Sequence, residues 1–222
     1  VDRTTIRRGL PAVIAAAAAI TAVVLPSTGS ASAASGAQAR PNGLIKTAEH
    51  TEVKEIAPWR ASLDAAPLAA KKLTYTQQVQ TQDQWCWAAD GSSIERSLGG
   101  TASQQQFCAA GKGRCVNQGA QISEIVRGFQ GTGFNAQDAG GPVSFATITK
   151  QIDAGSPQLT GIYWTSGGGH AEVIYGYDSS NQTIYIGDPW PSYQRYQTWN
   201  LTQYRSNSQF RWNDTIVNIR KR

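Results

Sequence analysis

The second half of the chain leaves the least freedom of fold. The runs "QLTGIYW" (residues 158–164), "HAEVIYGYD" (170–178) and "QTIYIGD" (182–188) are dense in β-branched and aromatic residues, and the turn "SSN" separates the last two. "NDTIVNIR" (213–220) reads as one more strand. Helix signals cluster ahead of these: residues 86–98 stopped by Gly99 and Gly100, a short turn from Ser103, "AQISEIVRGF" (120–129), and residues 144–155 with Ser144 as N-cap. Helices first and strands after predict an α+β domain, a helical half followed by an antiparallel sheet half. No internal repeat of useful period is present.

The N-terminus reads differently. Arg3, Arg7 and Arg8 precede the apolar run "LPAVIAAAAAITAVVLP", and "SASAAS" carries an A-x-A pattern at Ala31 and Ala33. The run is short for a membrane span and is broken at Pro11 and Pro26, so residues 1–33 read as a removable signal peptide and the chain as secreted, with no membrane partner after signal removal. Residues 34–72, rich in Ala, Pro and charge, read as a linker or a pro-segment ending at Lys71 and Lys72, and a domain begins near Leu73.

The formal net charge of +5 suggests nucleic acid only until it is divided along the chain. Residues 73–222 carry eleven Lys/Arg against ten Asp/Glu, and three of those cations are the terminal "RKR". No basic footprint is left for a nucleic-acid partner.

An exported chain meets an oxidising environment, where an odd cysteine count needs a reason. Cys108 and Cys115, in "FCAAGKGRC", lie across a Gly-rich turn and can bridge, which leaves Cys86 unpaired. Zinc is the competing reading, but there is no C-x-x-C pair and the domain offers one histidine, so no metal is expected. Cys86 sits between two tryptophans at a predicted helix start, where unpaired N–H groups and the positive dipole end favour a thiolate below a free thiol's pKa of roughly 8.5.

A thiol nucleophile needs a base, and His170, opening a strand after "SGGG", is the candidate. Gly168 and Gly169 allow close approach of a ligand to the backbone. Asp188 in "GDPW" ends the next strand but one hairpin along, where its carboxylate can orient the imidazole. Gln80, six residues before Cys86, is a candidate oxyanion donor among the crowded glutamines of residues 77–84. Trp87 and Trp190 are candidates for the pocket wall, core filling being the other reading of both.

Taken together, "Q-x5-C-W" before a helix, "GGGHAEVIYGYD" and "IGDPW" resemble the papain-like cysteine peptidases, and more closely a bacterial branch with a "WCWAA" motif that includes plant-pathogen effector proteases. The resemblance spans about residues 75–190. It implies a papain-like domain over residues 73–222, with Cys86 as nucleophile, His170 as proton shuttle, Asp188 as orienter and Gln80 in the oxyanion hole. It also implies a thioester route to peptide-bond hydrolysis, with a protein or peptide substrate, no cofactor and a monomeric enzyme. "FCAAGKGRCVNQGAQIS" resembles that branch's cysteine-containing loop, which supports the Cys108–Cys115 bridge. Trp85 and an Asp stand where plant and lysosomal members have other residues, so their subsite preferences do not carry over. An acyltransferase on the same scaffold and a non-enzymatic binder using the aromatics of "GDPWPSYQRYQTW" are the alternatives.

Overall fold

A computed structural model describes residues 40–60 and 69–222, so the signal-peptide reading of residues 1–33 lies outside the described residues. Among the described residues the chain forms β1 (Ala70–Lys72), α1 (Cys86–Ser97), α2 (Gln104–Lys112), α3 (Ile122–Gly131), β2 (Phe134–Asp138) and α4 (Phe145–Asp153). There follow β3 (Gln158–Trp164), β4 (Gly169–Asp178), β5 (Thr183–Gly187), β6 (Tyr196–Asn200), α5 (Leu201–Arg205) and β7 (Phe210–Lys221). The α+β class is that expected, and α2, α4 and α5 each begin at a capping side chain. Ser144 accepts from Thr147 N–H as the expected cap of α4. Ser103 and Gln106 form a reciprocal capping box, and it lengthens the expected short turn into the nine residues of α2.

The strands form one antiparallel sheet ordered β2-β7-β3-β4-β5-β6, with β1 pairing β4 beyond the end of β3. β1 thus lies just ahead of Leu73, where the domain was expected to begin. β1, β2 and β6 escaped the sequence reading because they are short and half exposed, with pairing supplied by distant strands.

Apolar side chains on the two faces of the sheet build two cores. Ala171, Val173 and Tyr175 of β4 belong to the core that α1 to α3 fill with Trp87, Phe107 and Phe129. Ile174, Ile184 and Ile186 belong to the other, with Ile148 and Ile152 of α4 and Tyr204 of α5. Period-two alternation puts His170 and Glu172 on the same face of β4 as Ile174, opposite Ala171. Cys108 and Cys115 are joined in a disulfide that closes the loop after α2, and Cys86 is free and buried.

Candidate active site

Trp85 is the N-cap of α1, so Cys86 is its first residue, in the turn whose N–H groups have no helical acceptor. Cys86 Sγ accepts the backbone N–H of Ala171 at 3.3 Å. This bond fastens the helix start to β4 one residue past His170. His170 is fully buried, with Nε2 2.9 Å from Asp188 Oδ1. An ionised carboxylate only accepts, so Nε2 carries the proton and Nδ1 keeps its lone pair. Nδ1 is buried without a hydrogen-bond partner, which leaves it available as a base. Trp164 stacks on the imidazole at 6.2 Å between centroids, and Tyr193 meets it edge-on at 6.4 Å.

Asp188 is held as firmly as the ring it holds. Oδ1 also accepts Trp190 N–H at 2.8 Å, Oδ2 accepts Gln197 Nε2 at 3.0 Å, and the Arg195 guanidinium bonds its backbone oxygen. The structure thus pairs His170 with Asp188 and bonds Cys86 Sγ to the backbone of Ala171, the residue after His170.

The cleft over these residues is filled by the chain itself. Trp164 Nε1 donates to Pro41 O at 2.8 Å, and Arg40 lies over the same indole. Gly43 O accepts Ala120 N–H at 2.9 Å, Leu44 N–H donates to Gly169 O at 3.1 Å, and Ile45 N–H donates to Ala120 O at 2.9 Å. A Cβ placed on Gly43 would stand 2.3 Å from Cys86 Sγ and 2.8 Å from Gln84 O, so only glycine fits there. The expected glycine edge is real as geometry: a Cβ on Gly168 would meet Asn42 Oδ1 at 2.8 Å, and one on Gly169 would meet the Tyr163 ring at 2.7 Å and Leu44 Cβ at 3.0 Å. Residues 50–59 of the expected linker or pro-segment, "HTEVKEIAPW", make other contacts. His50 Nδ1 pairs with Asp214, Lys54 bridges to Pro142 and Ser144, and Trp59 packs on Arg220.

Sealing the sulfur reverses the expected electrostatics. Burial pushes the Cys86 thiol well above the ordinary range, the charge of Asp90 one helical turn on pushes it further, and the N–H groups of Ala171 and Trp87 pull weakly the other way. In this closed form the thiol is neutral, and the low-pKa expectation fails because desolvation outweighs the helix end. Asp90 is itself fully buried, accepting from Gln77 Nε2 at 2.9 Å, and burial holds it toward the neutral acid.

Two further expectations are corrected. Trp87 does not wall a pocket: it is fully buried against Phe107 with Nε1 on Gln118 O, a core residue. Gln80 is buried, but its Nε2 donates to Gln82 O and Asp83 O at 2.7 and 2.9 Å, holding the turn that delivers Cys86. Its Oε1 has no partner. Trp190 is half-buried beside Tyr193, next in sequence but one to Asp188. The sequence reading missed Trp164, Asp90 and Glu172. The last two had a signal, an acid inside an otherwise apolar buried stretch.

Residues 68–209 match the family model described as papain-like cysteine protease AvrRpt2. Among solved structures, xylellain, a cysteine protease from Xylella fastidiosa, is similar over 82% of this chain and 96% of its own, with TM-score 0.58 and 15% identity. A double glycine motif protease from an AMS/PCAT transporter is similar over 66% and 93%, with TM-score 0.47 and 13% identity. The peptidase domain of Streptococcus mutans ComA follows at 64% and 97%, with TM-score 0.41 and 20% identity. No curated protein matches.

Proposed function

We propose, for a chain that belongs to the papain-like cysteine protease family of AvrRpt2 and is therefore a cysteine peptidase, that it is an exported endopeptidase using Cys86, His170 and Asp188. His170 Nδ1 takes the thiol proton as Cys86 Sγ attacks the scissile carbonyl. The same nitrogen then protonates the departing amine, leaving a thioester that water hydrolyses with Nδ1 again as base. Asp188 fixes the Nε2–H tautomer and stabilises the imidazolium. The oxyanion needs donors, and the Cys86 N–H in the open first turn is one. Gly168, Gly169 and Trp190 are the proposed substrate contacts.

The observation that carries this reading is the Ala171 N–H to Cys86 Sγ bond beside a His170 ring already oriented by Asp188. Nothing in a buried structural thiol calls for an oriented imidazole with a vacant ring nitrogen. The reading includes latency. Residues 41–45 exclude substrate until they leave, which makes the N-terminal segment an inhibitory pro-segment rather than a spacer. The test is covalent labelling by an epoxide thiol inhibitor together with cleavage of quenched peptides. Both are expected in a chain whose Gly43 is replaced by valine, and neither in the same chain carrying Cys86→Ala. Equal labelling of both would put the reactive group elsewhere. Product analysis with added amines separates hydrolysis from acyl transfer.

A further inference from the structure

Glu172 is a carboxylic acid in the middle of a buried strand, and the three-residue mechanism does not use it. It shares a face of β4 with His170, and its carboxyl, the Asp188 carboxyl and a His170 ring nitrogen lie within 4.8 Å of one another. All three residues are buried. Two carboxyls that close in a low-dielectric site strongly disfavour both carrying charge, so one holds a proton.

Donor counting says which. Asp188 accepts from His170 Nε2, Trp190 N–H and Gln197 Nε2. Glu172 Oε2 accepts from the Tyr204 hydroxyl alone, at 2.7 Å, with the Thr160 hydroxyl 2.6 Å behind Tyr204. Negative charge therefore settles on Asp188 and the shared proton on Glu172. Burial first and the Asp188 charge second push the Glu172 carboxyl well up, in the same direction.

We propose that Glu172 is a positioning residue: as a neutral acid it donates a hydrogen bond to Asp188 and holds that carboxylate against His170 Nε2. The proposal rests on the assignment of Asp188 and His170 to the catalytic set. Behind Glu172, the Tyr204 hydroxyl donates to its Oε2, and the Thr160 hydroxyl, 2.6 Å from that of Tyr204, also donates to the Glu172 backbone oxygen at 3.2 Å, so both hydroxyls hold the residue in place. A cavity of about 320 Å³ opens on the rear of the pair, walled by Trp164, Tyr193, Gln194, Gln197, Trp199 and Phe210, none of them cationic. The ionisable groups facing Glu172 are His170 on its own strand, Asp188 after β5, Tyr204 of α5 and Tyr193 across the cavity, with Asp90 of α1 close enough to feel its charge. Arg195 is engaged at the Asp188 backbone oxygen.

The test uses the intact chain, which has only two histidines, His50 and His170, so its imidazole NMR spectrum separates them once His50→Gln is compared. At pH 7 the Glu172 carboxyl carbon, identified by its loss in Glu172→Gln, is expected at the shift of a protonated acid. Titration alongside the exposed glutamates near a pKa of roughly 4.3 overturns the proposal. The downfield Nε2–H resonance of His170 is expected to persist in Glu172→Gln, whose amide still donates to Asp188, and to move upfield in Glu172→Leu. Should Glu172→Leu not fold, Tyr204→Phe takes its place: with one fewer donor on Glu172 its carboxyl stays protonated to higher pH. An identical His170 signal in the Gln and Leu variants means Glu172 is only packing. A wild-type His170 Nε2–H that is not hydrogen-bonded at all would instead indict the Asp188–His170 assignment beneath it.

Discussion

The sulfur and the imidazole are both fully buried, yet different things bury them. His170 is sealed by parts of the domain that stay: Trp164 on its face, Tyr193 at its edge and Asp188 on Nε2. Cys86 is covered by residues 41–45, a segment held across the cleft by backbone hydrogen bonds to Ala120 and Gly169. In the mechanism proposed above, the acid–base half is built into the sheet and the nucleophile half waits on a peripheral segment. Displacing that segment is then expected to return water to the sulfur, with Trp164, Tyr193 and Asp188 still around the imidazole. The neutral thiol belongs to the covered state, and a helix-start thiolate to the open one.

The largest effect tests whether the two halves act on one reaction. In an opened chain, Cys86→Ala is expected to lower turnover by at least about 10⁴-fold, as loss of a nucleophile does. The thermal midpoint should stay close to the parent's, because an alanine methyl takes the place of the thiol against Ala171 with the loss of one weak hydrogen bond. His170→Ala is expected to cost turnover and stability together, since it empties a slot between two aromatic rings and strands Asp188. Equal stability losses in the two variants would make Cys86 as structural as His170 and end the comparison.

Next in size is Gly43→Val in the full chain. The 2.3 Å overlap with Cys86 Sγ cannot be relieved without moving the segment. Three backbone hydrogen bonds hold it at the cleft, each with a net contribution of about 1 kcal/mol, so displacement should raise iodoacetamide alkylation of Cys86 on the order of a hundredfold at pH 7. In the wild-type chain alkylation should be slow at pH 6 and remain slow at pH 8, since burial has raised the thiol. Fast alkylation of the wild type at pH 6 would show that the segment does not cover the sulfur in solution.

How much of this was legible in the sequence follows the same division. β3, β4, β5 and β7 were readable because their residues are buried on both faces and β-branched, and α1 and α4 because glycine stops and a serine cap mark their ends. Cys86, His170 and Asp188 were readable as residue types at element ends. The covering segment was not: "RPNGLI" has no periodicity, and its placement comes from backbone hydrogen bonds that any sequence with a glycine at the right position can make. The partners of Gln80 were not legible, because spacing from Cys86 reports position and says nothing of where an amide points. Trp87 was misjudged because a tryptophan beside a nucleophile lies on a helix, and its neighbour's direction is about 100° from its own.

The third prediction concerns the disulfide loop after α2. The Cys108–Cys115 bridge closes a loop of sequence separation seven, for which chain entropy gives about 2–3 kcal/mol. Cys108→Ser should lower the midpoint by roughly 5–10 °C. Activity of the opened chain measured in the cold should survive, because the disulfide braces α2 and touches no member of the catalytic set. Loss of activity without loss of stability would mean that α2 positions Cys86 more directly than its packing suggests.

The smallest effect uses the helical half alone. Glu95, in α1, is buried and bonded to the Thr132 hydroxyl, and burial raises its carboxyl to about 7 despite that bond. The sign follows from linkage. An acid whose folded pKa lies above its unfolded value of roughly 4.3 binds more protons when folded, so the stabilising contribution is full below that pH and declines as pH rises through 7. Glu95→Gln keeps the shape and removes the charge. It should raise the midpoint by roughly 2–4 °C at pH 8, where wild-type Glu95 is ionised, and leave it nearly unchanged at pH 4, where wild-type Glu95 is neutral. Because Glu95 faces α3 and away from the catalytic cluster, the same variant should leave Cys86 alkylation in the opened chain untouched at both pH values. A pH-independent change in stability would mean that the carboxyl is solvated, and a change in alkylation would mean that the charge on α1 reaches the sulfur from two turns away.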